Sequence, residues 1–190
     1  MEKNIAILAS GNGTNAENIA RYFREKGSAR VALILTNRPT AYVLQRARAL
    51  DIPALCFNKE EWADGQPVLQ ALQAHAIDFV VLAGFLARVP DNVLHAYPQR
   101  MVNIHPSLLP KFGGKGMYGD RVHEAVLAAG ESESGITIHY TNEHYDEGAV
   151  IHQYTCPVLP DDTPDTLAAR VHALEYAHYP EVIESLLQAL

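Results

Sequence analysis

At 190 residues and 20.9 kDa, with 48% hydrophobic and 19% charged residues, the chain has the length and apolar content of one ordinary globular domain, spanning 1–190, and the disordered, collagenous and disulfide-scaffold classes are excluded. A formal net charge of -7 and a pI near 5.7 argue against a nucleic-acid partner and against docking on an anionic membrane, while leaving room for a small anionic ligand. Cys56 and Cys156 are the only cysteines, too few for a disulfide framework, so a reducing compartment is expected.

The first apolar run, Ile5 to Ala9, is too brief for a signal-peptide core and ends in a glycine loop, which makes a cytoplasmic location the default. Further short, mostly β-branched runs follow at Val31 to Thr36, Pro53 to Phe57, Phe79 to Ala83 and Met101 to Ile104. Such runs are strands covered on both faces and predict a parallel sheet. Between them, apolar residues at helical spacing predict helices over Asn15 to Lys26, Ala41 to Leu50, Gln66 to His75 and Pro90 to His95. The alternation builds right-handed βαβ units into an α/β, Rossmann-like open sheet.

Beyond residue 133 the period falls to two. Gly135 to Thr141 and Ala149 to Val158 alternate apolar and polar residues around a glycine-containing loop, which predicts an antiparallel hairpin at one sheet edge. Thr163 and Pro164 then stand as N-cap and first residue of a C-terminal helix, which Pro180 is expected to kink or restart.

Three segments carry chemistry. Ser10-Gly11-Asn12-Gly13-Thr14-Asn15 lies between the first strand and the first helix, where backbone N–H groups and the helix dipole favour a phosphate. The third glycine of a dinucleotide fingerprint is missing, as is an acidic residue closing the second strand, which argues against a nicotinamide cofactor. Asn103 and His105 end the fifth strand. Period-two geometry puts them on one side about 7 Å apart, an amide donor beside an imidazole, a pairing suited to the oxyanion and the leaving amine of acyl transfer. The loop from Asn142 to Gly148 adds carboxylates that stabilise an imidazolium if one of them faces a histidine.

These segments, with Ala83-Gly84-Phe85 and Asn103-Ile104-His105-Pro106-Ser107-Leu108-Leu109-Pro110, occur in an order that resembles the phosphoribosylglycinamide formyltransferases, folate-dependent enzymes of purine synthesis. The resemblance implies a metal-free transfer of the formyl group of 10-formyltetrahydrofolate, as cosubstrate, to the amine of glycinamide ribonucleotide. It implies that Gly11, Asn12, Gly13, Thr14 and Asn15 hold the phosphate and that Glu175 binds ribose hydroxyls. Asn103 is then expected to polarise the formyl oxygen, His105 to donate a proton, and Asp146 to support His105. Leu86, Ala87, Arg88 and Val89 are expected to line the folate pocket through their backbone. The glycine-rich stretch Lys111 to Asp120 is longer than the common family form, so no role transfers to His123, and no arginine stands near Asn58 to Gly65 where many relatives carry one.

Rival readings share parts of this pattern. A 10-formyltetrahydrofolate hydrolase has the same core with water as acceptor and usually a preceding regulatory domain. A methionyl-tRNA formyltransferase needs a further C-terminal domain, for which a chain stopping at Leu190 leaves no room. His139, His144, His152 and Glu143 lack metal-ligand spacing, and a non-enzymatic nucleotide-binding module has no use for Asn103, His105 and Asp146 together. The expected partners are thus small molecules only, for a monomer or homodimer.

Overall fold

The computed structural model describes residues 1–190. Strand β1 (Lys3–Leu8) leads into α1 (Thr14–Lys26), β2 (Ala29–Thr36) into α2 (Val43–Ala49), and β3 (Ala54–Cys56) into α3 (Lys59–Asp64) and α4 (Gln66–Ala74). Then come β4 (Phe79–Leu82), α5 (Asp91–Ala96) and β5 (Met101–His105), followed by α6 (Asp120–Ala128), β6 (Glu133–Tyr140), β7 (Val150–Pro157) and α7 (Pro164–Gln188).

The strands form one seven-stranded sheet in the order β3-β2-β1-β4-β5-β6-β7. Pairings from β3 to β5 are parallel; β5 with β6 and β6 with β7 are antiparallel, as the change of sequence period predicts. The chain winds outward from β1 to β3 and then returns to the other side of β1 as β4. Such a reversal opens a crevice beyond the carboxyl ends of the two strands.

Alternation along each strand divides the core. Ile5, Ile7, Val81, Val102, Ile104, Ile136 and Ile138 pack with Phe23 of α1 and Val171 and Tyr179 of α7. Ala6, Leu8, Leu33, Leu35, Val80 and Leu82 face the other way, onto Trp62, Val68, Leu72 and Val93. Both faces of the central parallel strands are therefore dry, and each fully buried Ile, Leu or Phe contributes roughly 1.5–3 kcal/mol. No helix is long and apolar enough to cross a membrane.

Two helices were not predicted from the sequence. α3, Lys-Glu-Glu-Trp-Ala-Asp, is mostly charged and shows no apolar stripe; it is held by a capping box in which Asn58 Oδ1 accepts from Glu61 N at 2.9 Å and Glu61 Oε2 accepts from Asn58 N at 2.8 Å. α6 buries Val122 and Val126, one turn apart, behind the glycine-rich stretch. At the C-terminus Thr163 caps α7 as expected, but the helix does not restart at Pro180 and continues to Gln188. Proline deprives the Tyr176 carbonyl of its helical donor, and Asn18 Nδ2 of α1 replaces that donor at 3.0 Å.

Candidate functional site

The loop after β1 is stiffened from two sides. Arg46 of α2 donates from Nε to the Asn12 carbonyl at 2.7 Å, from Nη2 to Asn12 Oδ1 at 2.5 Å and from Nη1 to Glu17 Oε2 at 2.5 Å. The hydrogen bonds from Arg46 and Arg21 hold the Glu17 carboxyl below its usual range. On the other side Ser10 Oγ donates to Asn37 Oδ1 at 2.6 Å and accepts from Leu86 N at 2.8 Å, tying the loop to the segment after β4.

Its two glycines serve different ends. Gly13 has φ 77, and a Cβ there would stand 2.6 Å from Val43 Cβ and 2.9 Å from Val43 Cα, so this glycine lets α2 pack against the loop. At Gly11 an added Cβ meets nothing within 4 Å, and it is this residue that leaves the backbone open to a ligand. Asn15, one residue into α1, donates from Nδ2 to Glu175 Oε2 at 2.8 Å, while its Oδ1 is buried without a partner. Glu175 is 4% exposed and also faces His172 Nδ1 at 3.0 Å. That hydrogen bond raises the His172 pKa.

Asn103 and His105 occupy the face of β5 opposite Val102 and Ile104, as alternation requires. His105 is 3% exposed, donates from Nε2 to the Phe112 carbonyl at 2.8 Å, and turns Nδ1 toward Asp146 Oδ2 at 3.5 Å. The loop after β5 is held by Thr137 Oγ1, which donates to the Ser107 carbonyl at 2.7 Å and accepts from Leu109 N at 3.0 Å. Asp146 adopts φ 57, left-handed backbone that aspartate tolerates better than most residues, and accepts from Gly114 N at 2.9 Å. Two positions on, a Cβ at Gly148 would collide with the Tyr140 carbonyl, so the chain passes β6 closely enough to bring Asp146 inward.

Electrostatics at this centre differ from the simplest expectation. An aspartate beside an imidazole raises its pKa, yet the His105 pKa is lowered. Burial pulls it down, and Asp146 and the Phe112 carbonyl oppose that pull without cancelling it. For Asp146, burial pushes the carboxyl up, but the nearby His139 and His105 and the Gly114 N–H bring it below the usual carboxylate range.

The residues to which the resemblance assigns roles line one cavity of about 630 Å³: Gly11 to Asn15, Leu86 to Val89, Asn103, His105, Asp146 and Glu175. From Ala87 to Val89 no backbone N–H or carbonyl bonds to another group of the chain, so these polar groups are free for a ligand. Of the other carboxylates in the Asn142 to Gly148 loop, Glu143 pairs with exposed His95 at 3.2 Å, and Glu147 is exposed. The glycine-rich stretch from Gly114 to Arg121 forms another wall. His123, from α6, is 2% exposed and has an unpartnered Nδ1; burial lowers its pKa. No set of three His, Cys, Asp or Glu side chains is placed to hold a metal.

Sequence reasoning missed Arg46, His172 and above all His139 as parts of this site. His139 is paired across the strands with Asn103, and its Nε2 lies 3.2 Å from Asn103 Nδ2. Only the β5–β6 register reveals that pairing.

The sequence pattern of the formyl transferase family matches residues 3–183. The chain is 40% identical over 193 residues to the chloroplastic phosphoribosylglycinamide formyltransferase of Arabidopsis thaliana, covering 98% of this chain and 66% of that protein, just under two thirds of its length. It is 37% identical over 190 residues to the phosphoribosylglycinamide formyltransferase of Bacillus subtilis, covering 97% of this chain and 95% of that one. Among solved structures, the crystal structure of phosphoribosylglycinamide formyltransferase from Bacillus halodurans superposes with a TM-score of 0.88 at 38% identity, covering 97% of this chain and 95% of the other. Sequence and fold agree over nearly the whole chain, and the protein belongs to the formyl transferase family.

Proposed function

We propose that the protein transfers the formyl group of 10-formyltetrahydrofolate to the amine of glycinamide ribonucleotide, giving formylglycinamide ribonucleotide and tetrahydrofolate in de novo purine (IMP) biosynthesis. One observation carries this reading: a single cavity joins an anion-suited glycine loop, a run of unbonded backbone groups and the Asn103, His105 and Asp146 cluster. In it, the Gly11 to Asn15 loop binds the ribonucleotide phosphate. Glu175 binds the ribose through Oε1, since both its hydrogen bonds use Oε2. The backbone of Leu86 to Val89 holds the folate, which supplies the formyl carbon.

At the reacting centre Asn103 donates to the formyl oxygen as it gains charge. His105 delivers a proton, and because burial lowers its pKa its imidazolium is a stronger acid than a solvated one. Asp146 keeps that imidazolium accessible. Residues 1–190 act as one formyltransferase domain, monomeric or as a homodimer in the cytoplasm, with small molecules as partners.

The test is an assay of purified protein with both substrates, following tetrahydrofolate release, with ribonucleotide omitted as the control. Release that depends on the ribonucleotide supports the reading. Equal release without it assigns the site to a 10-formyltetrahydrofolate hydrolase instead.

A further inference from the structure

His139 is a fully surrounded imidazole with an assignable tautomer. It is 2% exposed; its Nδ1 lies 2.9 Å from its neighbour's carbonyl, Tyr140 O, and its Nε2 lies 3.2 Å from Asn103 Nδ2. A carbonyl oxygen only accepts, so Nδ1 carries the hydrogen. In a neutral ring the other nitrogen is then a bare lone pair, and only the NH2 end of the Asn103 amide can meet it. The reverse orientation would press Oδ1 against that lone pair, two acceptors in contact in a buried place, which costs about 1–3 kcal/mol by the usual penalty for an unsatisfied group.

This orientation matters for the reaction. The same Nε2 stands 3.7 Å from Asp146 Oδ1, and the other oxygen of Asp146 stands 3.5 Å from His105 Nδ1. The NH2 group is thus held on the side of the amide nearest His105 and Asp146. One N–H is spent on His139, and the second is left for the ligand.

We propose that His139 is a positioning residue whose Nδ1–H tautomer, locked by the Tyr140 carbonyl, fixes the Asn103 amide with its donor end toward the reacting centre. His139 touches no substrate in this scheme and acts only through Asn103. The kinetic part of the argument rests on the formyl-transfer reading; the tautomer does not.

The first test is therefore spectroscopic. Long-range ¹H–¹⁵N correlation of the full chain with ¹⁵N-histidine at pH 7.5, the His139 signals being those lost in His139→Gln, should show a protonated Nδ1 and an unprotonated Nε2. An Nε2–H tautomer, or an imidazolium, overturns the proposal. The second test is a double-mutant cycle. His139→Leu, which removes the acceptor, should lower kcat about 10²-fold with both KM values within about threefold, as for a lost oxyanion donor. His139→Gln, which offers an oxygen near the Nε2 position, should recover most of that loss. In an Asn103→Ala background, His139→Leu should cost less than about threefold further; a full second loss means that His139 acts independently of Asn103 and overturns the proposal. Should the leucine variant fail to fold, the tautomer of the unsubstituted chain still decides. An inactive protein with the Nδ1–H tautomer would sink the formyl-transfer reading alone.

Discussion

Alanine at Gly11 and alanine at Gly13 should separate ligand binding from folding within one loop. At Gly13 the left-handed backbone, φ 77, costs a non-glycine residue roughly 1–2 kcal/mol. The new methyl also meets fully buried Val43, and such overpacking adds roughly 1–3 kcal/mol. Together these make about 2–5 kcal/mol, a Tm lowered by roughly 4–20 °C for a chain of this size. Gly11→Ala has neither problem, because its backbone is outside the left-handed region and the methyl has no neighbour within 4 Å. Its Tm should stay within about 2 °C. What the methyl obstructs is close approach of a phosphate to the backbone. Losing one charge-assisted hydrogen bond, roughly 1.5–3 kcal/mol, should raise the ribonucleotide KM roughly 10- to 150-fold and leave the folate KM alone. Thermal unfolding and steady-state kinetics on both variants suffice. A Gly11→Ala enzyme with an unchanged ribonucleotide KM would refute the phosphate assignment, and a Gly13→Ala protein with unchanged Tm would refute the packing argument.

Asn103→Ala should lower kcat by roughly 10²- to 10³-fold with little change in either KM; a KM effect with kcat intact would reduce Asn103 to a substrate contact. For Asp146→Asn the sign follows from the causes of the His105 shift. Asp146 is the largest influence opposing burial, so removing its charge lowers the His105 pKa further. In the proposed reaction His105 acts protonated, and the rate falls as pH rises through its pKa; the basic limb of the pH–rate profile should therefore move to lower pH, and a limb that stays put counts against the pairing. Thr163→Ala removes the side-chain cap of α7 and should cost about 1 kcal/mol, a Tm drop of roughly 2–4 °C with both KM values unchanged; altered substrate binding would show that the cap reaches the site.

What could be read from the sequence follows from which forces act locally. The parallel strands were legible because burial on both faces demands continuous apolar runs such as Ile5 to Ala9, and the hairpin because apolar and polar residues alternate along it, although the polar side of β6, with Thr137 and His139, is buried in the fold. α3 was not, since it is specified by two capping hydrogen bonds and a single buried residue, Trp62. The course of α7 through Pro180 depends on Asn18, 162 positions earlier, which no local rule reaches. Within the site, Asn103, His105 and Asp146 were legible as chemistry. The direction of the His105 shift was not, because it turns on how completely the folded chain shuts out water.

The antiparallel edge explains why that seclusion falls where it does. β6 runs antiparallel to β5 after a connection that carries the glycine-rich stretch and α6, and this sets His139 against Asn103 and Thr137 against His105 in register. The loop between β6 and β7 leaves β6 beside the amino end of β5 and folds back toward its carboxyl end, where Asp146 closes over His105. Thr137 fastens the segment after His105 through Ser107 and Leu109, and Phe112, at the end of that segment, supplies the carbonyl that holds the ring. Glu175 and Asn15 reach the cavity from α7 and α1, which pack against each other. The glycine loop thus comes from the βαβ winding and Asp146 and His139 from the hairpin, and Asn103, on the last parallel strand and paired with His139 on the first antiparallel one, stands where the two meet.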